Sequence, residues 1–195
     1  MKKASLTLII FGVVFFTWNL YSFLEGYTAS TESDLDQLQF EKSKLEKDKP
    51  VLYQDIPDMG EEIGELLIPK FNQTFPIYQG TDDQVLKKGV GHVANSALPG
   101  ESNHSILSGH RDTVFRGLKE LKENEKFIVT TQAGEFLYKI KKIRIVDADD
   151  QTVMTPKPKA MLTLTTCYPF DFIGVAPQRY IITGELISLN LKQGF

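Results

Sequence analysis

The chain holds a single cysteine, Cys167, at the end of the run Leu162-Thr163-Leu164-Thr165-Thr166-Cys167. Tyr168-Pro169 follows it, and a residue before proline is pushed into extended backbone, so the thiol stands at the exit of a strand. Two more groups complete a chemical set: His110 in Leu107-Ser108-Gly109-His110-Arg111-Asp112, and Arg179 opening Arg179-Tyr180-Ile181-Ile182. Thiol, imidazole and guanidinium together suffice for acyl transfer. A thiolate attacks a carbonyl far better than a thiol, and unperturbed thiols and imidazoles titrate near ~8.5 and ~6.5, so each depends on its surroundings to reach a working state near neutrality. An imidazole also protonates a departing amine, which turns an amide into a thioester and a free amine. A fixed cation stabilises the oxyanion of the tetrahedral intermediate, or holds the substrate carbonyl, without needing a proton of its own.

Each of these residues has an ordinary reading as well. A lone Cys in a strand is commonly a small buried hydrophobe, a His after Ser-Gly a turn residue, and an Arg opening a strand a solvated edge. What joins them is strand pairing. If the strand ending at Cys167 and the one beginning at Arg179 are antiparallel neighbours, thiol and guanidinium meet at one rim.

The elements that must do this positioning are short and β-like. Of 195 residues, 42% are hydrophobic, with 13 Phe and 7 Tyr, enough for one ordinary domain with a true core plus an appendage. The net charge of -3 is small and evenly spread, which argues against a nucleic-acid partner. One cysteine excludes an intramolecular disulfide.

Met1-Lys2-Lys3 precedes a nearly uninterrupted apolar stretch over residues 4–24, about the ~20 residues that cross a bilayer core. Lysines before it and Glu25, Glu32, Asp34 and Asp36 after it place residues 1–3 in the cytoplasm and everything downstream outside the cell membrane. Tyr27-Thr28-Ala29 is a poor cleavage site, so an uncleaved anchor is expected rather than a signal peptide. Residues 25–60 read as an extracellular linker or stalk, with a helix from Ser33 to Lys49 ended by Pro50.

The domain proper is assigned to residues 61–190. Strand-like runs fall at 64–68, 75–79, 105–110, 126–131, 136–146, 161–167 and 179–188, while 82–88 and 114–121 read as single helical turns. Seven or eight short strands make a barrel or a sandwich.

The combination of an N-terminal anchor, Leu107-Ser108-Gly109-His110-Arg111-Asp112-Thr113, the strand Thr163 to Cys167 and the downstream Arg179 resembles the sortases, cysteine transpeptidases of Gram-positive cell surfaces. The resemblance covers about Ile63 to Leu186. It implies a mainly β fold, an eight-stranded closed barrel with a few short helices, in which Cys167 is the nucleophile, His110 the general acid/base and Arg179 the substrate- and oxyanion-binding cation. It further implies recognition of an LPXTG-like C-terminal sorting signal on surface proteins, cleavage after its Thr, and transfer to an amine of the peptidoglycan precursor or cross-bridge. Ser-Gly-His-Arg-Asp with Thr-Leu-Thr-Thr-Cys-Tyr-Pro-Phe looks most like the class D branch, with class A as the other assignment. The pilin-polymerising class is less similar, because Asp55-Ile56-Pro57 lacks the aromatic residue of its lid and no second apolar span is visible.

A thioester survives where the groove admits an amine and orients no water, so apolar walls are expected. Tyr168, Phe170, Phe172, Ile173 and Val175 are candidates for one side, Val90 to Leu98 for another, and Thr165 for orienting backbone beside the thiol. His92 and His104 lack zinc-ligand spacing, and Asp147, Asp149 and Asp150 read as an acidic surface loop rather than a Ca2+ site, so no cofactor is expected. Two other enzymes fit less well: an L,D-transpeptidase carries Arg just after its Cys, and a papain-like protease puts its Cys at a helix start. The non-catalytic alternative is a membrane-tethered β domain that binds wall polymer or a partner protein, with Cys167 as core.

Overall fold

Along Met161–Tyr168, Leu162 and Leu164 turn into the core while Thr163, Thr165 and Cys167 turn away from it, the period-two pattern of a strand with two unlike faces. In the computed structural model, which describes residues 12–21, 23, 51–171, 174 and 176–192, this is the seventh of eight strands. They are β1 (Glu62–Ile68), β2 (Gln73–Gln79), β3 (Val90–His92), β4 (His104–Ser108), β5 (Lys126–Thr131), β6 (Gly134–Asp147), β7 (Met161–Tyr168) and β8 (Gln178–Leu191). They close into a barrel in the order β1-β2-β3-β4-β7-β8-β6-β5, with β2/β3 and β4/β7 parallel and the remaining pairs antiparallel.

The expected mainly β barrel is therefore what forms. β3 was not among the expected runs: at three residues it is too short to show a period. The run expected over 105–110 begins one residue earlier and stops at Ser108, leaving His110 just beyond the strand. The helical turns expected at 82–88 and 114–121 are present as an α-helix at Asp83–Lys88 and a 3-10 helix at Arg116–Glu120. Asp82 caps the first, its Oδ1 accepting from the backbone N–H of Gln84 at 2.8 Å and Val85 at 3.0 Å.

Inward-facing residues of all the longer strands fill the barrel. Phe127 of β5 stacks on Tyr138 of β6, ring centroids 5.4 Å apart, and both are wholly buried. Burial of one such side chain stabilises the fold by about 1.5–3 kcal/mol. The Tyr138 hydroxyl accepts from the Gly100 N–H at 2.8 Å, and burial holds that phenol well above its ordinary range. A bulge between Ile140 and Lys142 then bends β6, so that Lys142, Arg144 and Val146 join the outward side of the β4-β7-β8 surface.

The chain separates into two units, Met1–Val51 and Leu52–Phe195. In the first, residues 12–21 are helical. Most of the anchor expected over 4–24, and the stalk helix expected at 33–49, lie outside the described residues; among the described residues no helix is long and apolar enough to cross a membrane. From Leu52 onward the chain packs on the barrel. The Tyr53 hydroxyl donates to the Pro99 carbonyl at 2.7 Å and meets Thr131 Oγ1 at 2.9 Å, and burial raises its pKa to about 12. Thr131 ends β5, and strand polarity puts that end of the barrel opposite the end where β7 finishes. Tyr53 is thus fixed at the pole remote from Cys167.

Two buried imidazoles knit loops to the sheet. His104 Nδ1 donates to the Thr155 carbonyl at 3.0 Å, and its Nε2 accepts from Thr163 Oγ1 at 2.8 Å. His92 sits between the Gln79 side chain at 2.7 Å and the Ala97 carbonyl at 2.9 Å. Burial lowers the pKa of both, and for His104 the nearby Lys157 and Arg144 push the same way. A lowered value means that the unfolded chain takes up protons more readily than the fold. The stabilisation is complete above the ordinary imidazole value of about 6.5 and is lost as pH falls below it. The urea midpoint should drop between pH 7 and pH 5, with a shallower slope in His104→Gln; a flat midpoint in the parent across that window would contradict this account.

Candidate active site

Three adjacent strands bring the sequence-predicted residues to one rim. Cys167 of β7 is directly opposite Arg179 of β8 in the antiparallel register. On the other side of β7, the parallel register pairs Ser108 of β4 with Thr165. The Gly109 N–H extends that pairing by donating to the Thr165 carbonyl at 3.2 Å. β4 ends at Ser108, and His110 follows it in the turn that leads on to Phe115, at the same end of the sheet as Cys167. His110 in the turn after β4, Cys167 of β7 and Arg179 of β8 thus sit at one end of the sheet, and all three residues are half-buried.

Local sequence explains why the His110 segment stays there. Gly109 has no side chain because a Cβ would come within 2.7 Å of both Phe115 and Val114, which fold back beneath it. The His110 carbonyl accepts from the Phe115 N–H at 3.1 Å, closing the turn. Thr166 completes the clamp: it lies on the inward face, 2% exposed, and its Oγ1 donates to the Gly109 carbonyl at 2.7 Å. Each threonine of the Thr-Leu-Thr-Thr-Cys run has a separate task. Thr163 Oγ1 links His104 to Thr183 Oγ1, 3.0 Å away, the Thr165 carbonyl holds Gly109 N–H, and Thr166 holds Gly109 O.

Thr166 was not among the residues picked out by sequence. Its signal was present: a hydroxyl two residues after Leu164 shares that residue's inward face and must find an acceptor, or its desolvation is uncompensated. Arg179 Nη1 donates to the Ala176 carbonyl at 3.2 Å and the Gln178 carbonyl at 2.9 Å. Those bonds fix the guanidinium at the mouth of β8, and among the described residues its Nε and Nη2 make no hydrogen bond.

The outward face of the sheet runs on from this rim. Thr163, Thr165 and Cys167 form its central row, flanked by Arg179, Ile181 and Thr183 on β8. The loop after β6, with its 3-10 helix Gln151–Met154, roofs the far end. There His104, Arg144, Val153, Met161, Thr163 and Ile181 line a cavity of about 480 Å³. Thr163, which lines this cavity, is four residues from Cys167 along β7, about 13 Å of extended strand. A second cavity of about 420 Å³, beside Tyr53 and Thr131, is at the opposite pole and does not reach this site.

The remaining groove candidates are placed differently. Alternation turns Tyr168 to the face opposite Cys167, where it stacks on Tyr180 at 6.2 Å, and Phe170 packs edge-on against Tyr180 at 5.1 Å. This aromatic cluster braces the strand ends from behind, and burial raises the Tyr180 pKa, helped by Tyr168. Phe172, Ile173 and Val175 lie outside the described residues. Val90 belongs to the core, and His92 is buried. In the acidic loop Asp150 is engaged as a cap, accepting from the Thr152 N–H at 2.8 Å, and among the described residues no cluster of metal-ligating side chains is found.

Comparison with known proteins agrees with this fold. The sortase domain family model matches residues 66–187. The chain is 47% identical over 133 residues to sortase D of Bacillus subtilis, covering 68% of this chain and 67% of that protein. Against sortase A of Bacillus anthracis the identity is 23% over 189 residues, with 88% of each chain covered. Among solved structures, the catalytic domain of B. anthracis SrtD superposes with a TM-score of 0.61 at 46% identity, covering 72% of this chain and 97% of that one. Sortase C of Clostridium perfringens SM101 superposes with a TM-score of 0.62 at 32% identity, covering 70% and 78%. A closed barrel of this strand order, a Cys-His-Arg rim and a domain match over more than half its length together make this chain a member of the sortase family of cysteine transpeptidases.

Proposed function

We propose that this protein cleaves an LPXTG-like C-terminal sorting signal through a thioester on Cys167 and passes the acyl group to an amine of the cell wall. The observation that supports the reading is the register that sets Cys167 of β7 opposite Arg179 of β8, with His110 two residues past the end of β4, the strand on the other side of β7. The Cys167 thiolate attacks the scissile carbonyl, and the Arg179 guanidinium takes up the charge that develops on the carbonyl oxygen. His110 gives a proton to the departing amine as the tetrahedral intermediate collapses. The acceptor amine then attacks the thioester, yields its proton to His110, and leaves as a new amide while Cys167 is regenerated. No cofactor enters this scheme. Residues 4–24 would hold the enzyme in the cell membrane, with its N-terminus cytoplasmic and the barrel on the wall side.

A peptide-library transpeptidation assay with mass-spectrometric capture of the acyl-enzyme tests this directly. The expected result is an adduct confined to Cys167, formed from peptides of the LPXTG type and discharged by an added amine. Absence of any adduct, with Cys167 also inert to a soluble alkylating reagent, would favour the non-catalytic binding domain instead.

A further inference from the structure

The residue that follows His110 is used in a way the reaction scheme leaves unexplained. Arg111 is 8% exposed, a permanently charged group taken out of water. Its Nη1 donates to the Pro169 carbonyl at 3.0 Å, its Nη2 to the Gly174 carbonyl at 3.2 Å, and its Nε lies 3.7 Å from the Asp112 carboxylate. Pro169 comes two residues after Cys167, and Gly174 five residues before Arg179. One planar fork thus ties the turn carrying the imidazole to both sides of the connection between the thiol and the guanidinium. A merely packed loop does not call for a buried cation, whose desolvation only a set of well-aimed acceptors offsets. A rigid planar fork holds two carbonyls at a fixed separation and angle, whereas an ammonium on a flexible stem imposes no such geometry.

The geometry points to Arg111 as a positioning residue that sets the separation of His110, Cys167 and Arg179, and so governs the acylation step more than substrate binding. This rests on the acyl-transfer reading of the site. It touches no reacting atom. It acts through the His110 turn on one side and the connection from β7 to β8 on the other.

The test compares the parent with Arg111→Met, which keeps the apolar stem, and Arg111→Lys, which keeps the charge but not the fork. Two measurements are made: kcat and KM for a sorting peptide, and the rate of Cys167 alkylation by iodoacetamide at neutral pH. Expected for Arg111→Met is a fall in kcat of about 10- to 100-fold with KM changed less than about threefold, and slower alkylation approaching that of His110→Ala. Arg111→Lys should recover part of both. Parental kcat and parental alkylation in a folded Arg111→Met protein would overturn the assignment, as would a loss confined to KM. If Arg111→Met does not fold, Arg111→Lys decides by the same criteria, because loss of the rigid fork geometry must still slow both steps. The alkylation arm needs no sorting peptide, so its outcome judges Arg111 even if the parent proves unable to turn over any peptide and the transpeptidase reading fails.

Discussion

A Cys167→Ala variant should keep its fold and lose transfer by at least ~10^4-fold, because no other group at the rim can form the covalent intermediate. The side chain is half-buried on the outward side of β7, so its removal opens no cavity in the barrel, and stability should shift by about 0.5 kcal/mol or less. Thermal melting and acyl-enzyme capture, run on the same preparation, separate the two effects. Cys167→Ser makes the experiment sharper: its hydroxyl occupies the same place but is a far poorer nucleophile at neutral pH, and it should be nearly as inactive. Processing of a sorting peptide by Cys167→Ala at anything near the parental rate would remove the sulfur from the mechanism altogether.

Losses of similar kind but different cause are expected at its two neighbours. His110→Ala should lower transfer by about 10^2- to 10^4-fold, the range for loss of a general acid and base. Arg179→Ala should lower it by about 10^2- to 10^3-fold, the range for removing one stabiliser of an oxyanion. A change of leaving group distinguishes the roles. When the scissile amide is replaced by an ester whose alcohol departs without prior protonation, His110→Ala should regain much of its lost acylation rate, while Arg179→Ala should remain impaired because the oxyanion still forms. Equal recovery in both variants would refute the separate assignments. Arg179→Lys should recover only part of the activity, since an ammonium lacks the guanidinium fork that is held at the mouth of β8 by the Ala176 and Gln178 carbonyls.

Much of this architecture is legible in the chain itself because its longer strands alternate cleanly. In β7 the leucines fall on one side and the reactive residue on the other. That pattern identifies a two-faced strand without any coordinates. β3 carries no such message: its three residues are all buried, and its place is set by parallel pairing with β2 and antiparallel pairing with β4.

Groove walls were harder to read for a related reason. Aromatic residues after a nucleophile look like a binding surface, yet one step along a strand reverses a side chain, and Tyr168 therefore packs behind the site with Tyr180 and Phe170. The cavity over the outward face is lined instead by the loop after β6, whose Thr155 is tied to the sheet by the bond from His104. Nothing local in the sequence announces a contact between residues that far apart.

The parallel alignment of β4 with β7 has a consequence for timing. The hydrogen bond from Thr166 to Gly109 joins positions 57 apart in the chain, and the strands between them, β5 and β6, lie elsewhere around the barrel wall. Loop closure over such a length comes late and cooperatively with the remaining long-range pairings. During synthesis, then, a nascent chain first carries the histidine without the thiol, and later carries both before the sheet has brought them together. Chemical competence arrives in one step, when the last seam of the cylinder is sewn, and unfinished molecules have no means of acylating themselves on passing peptides.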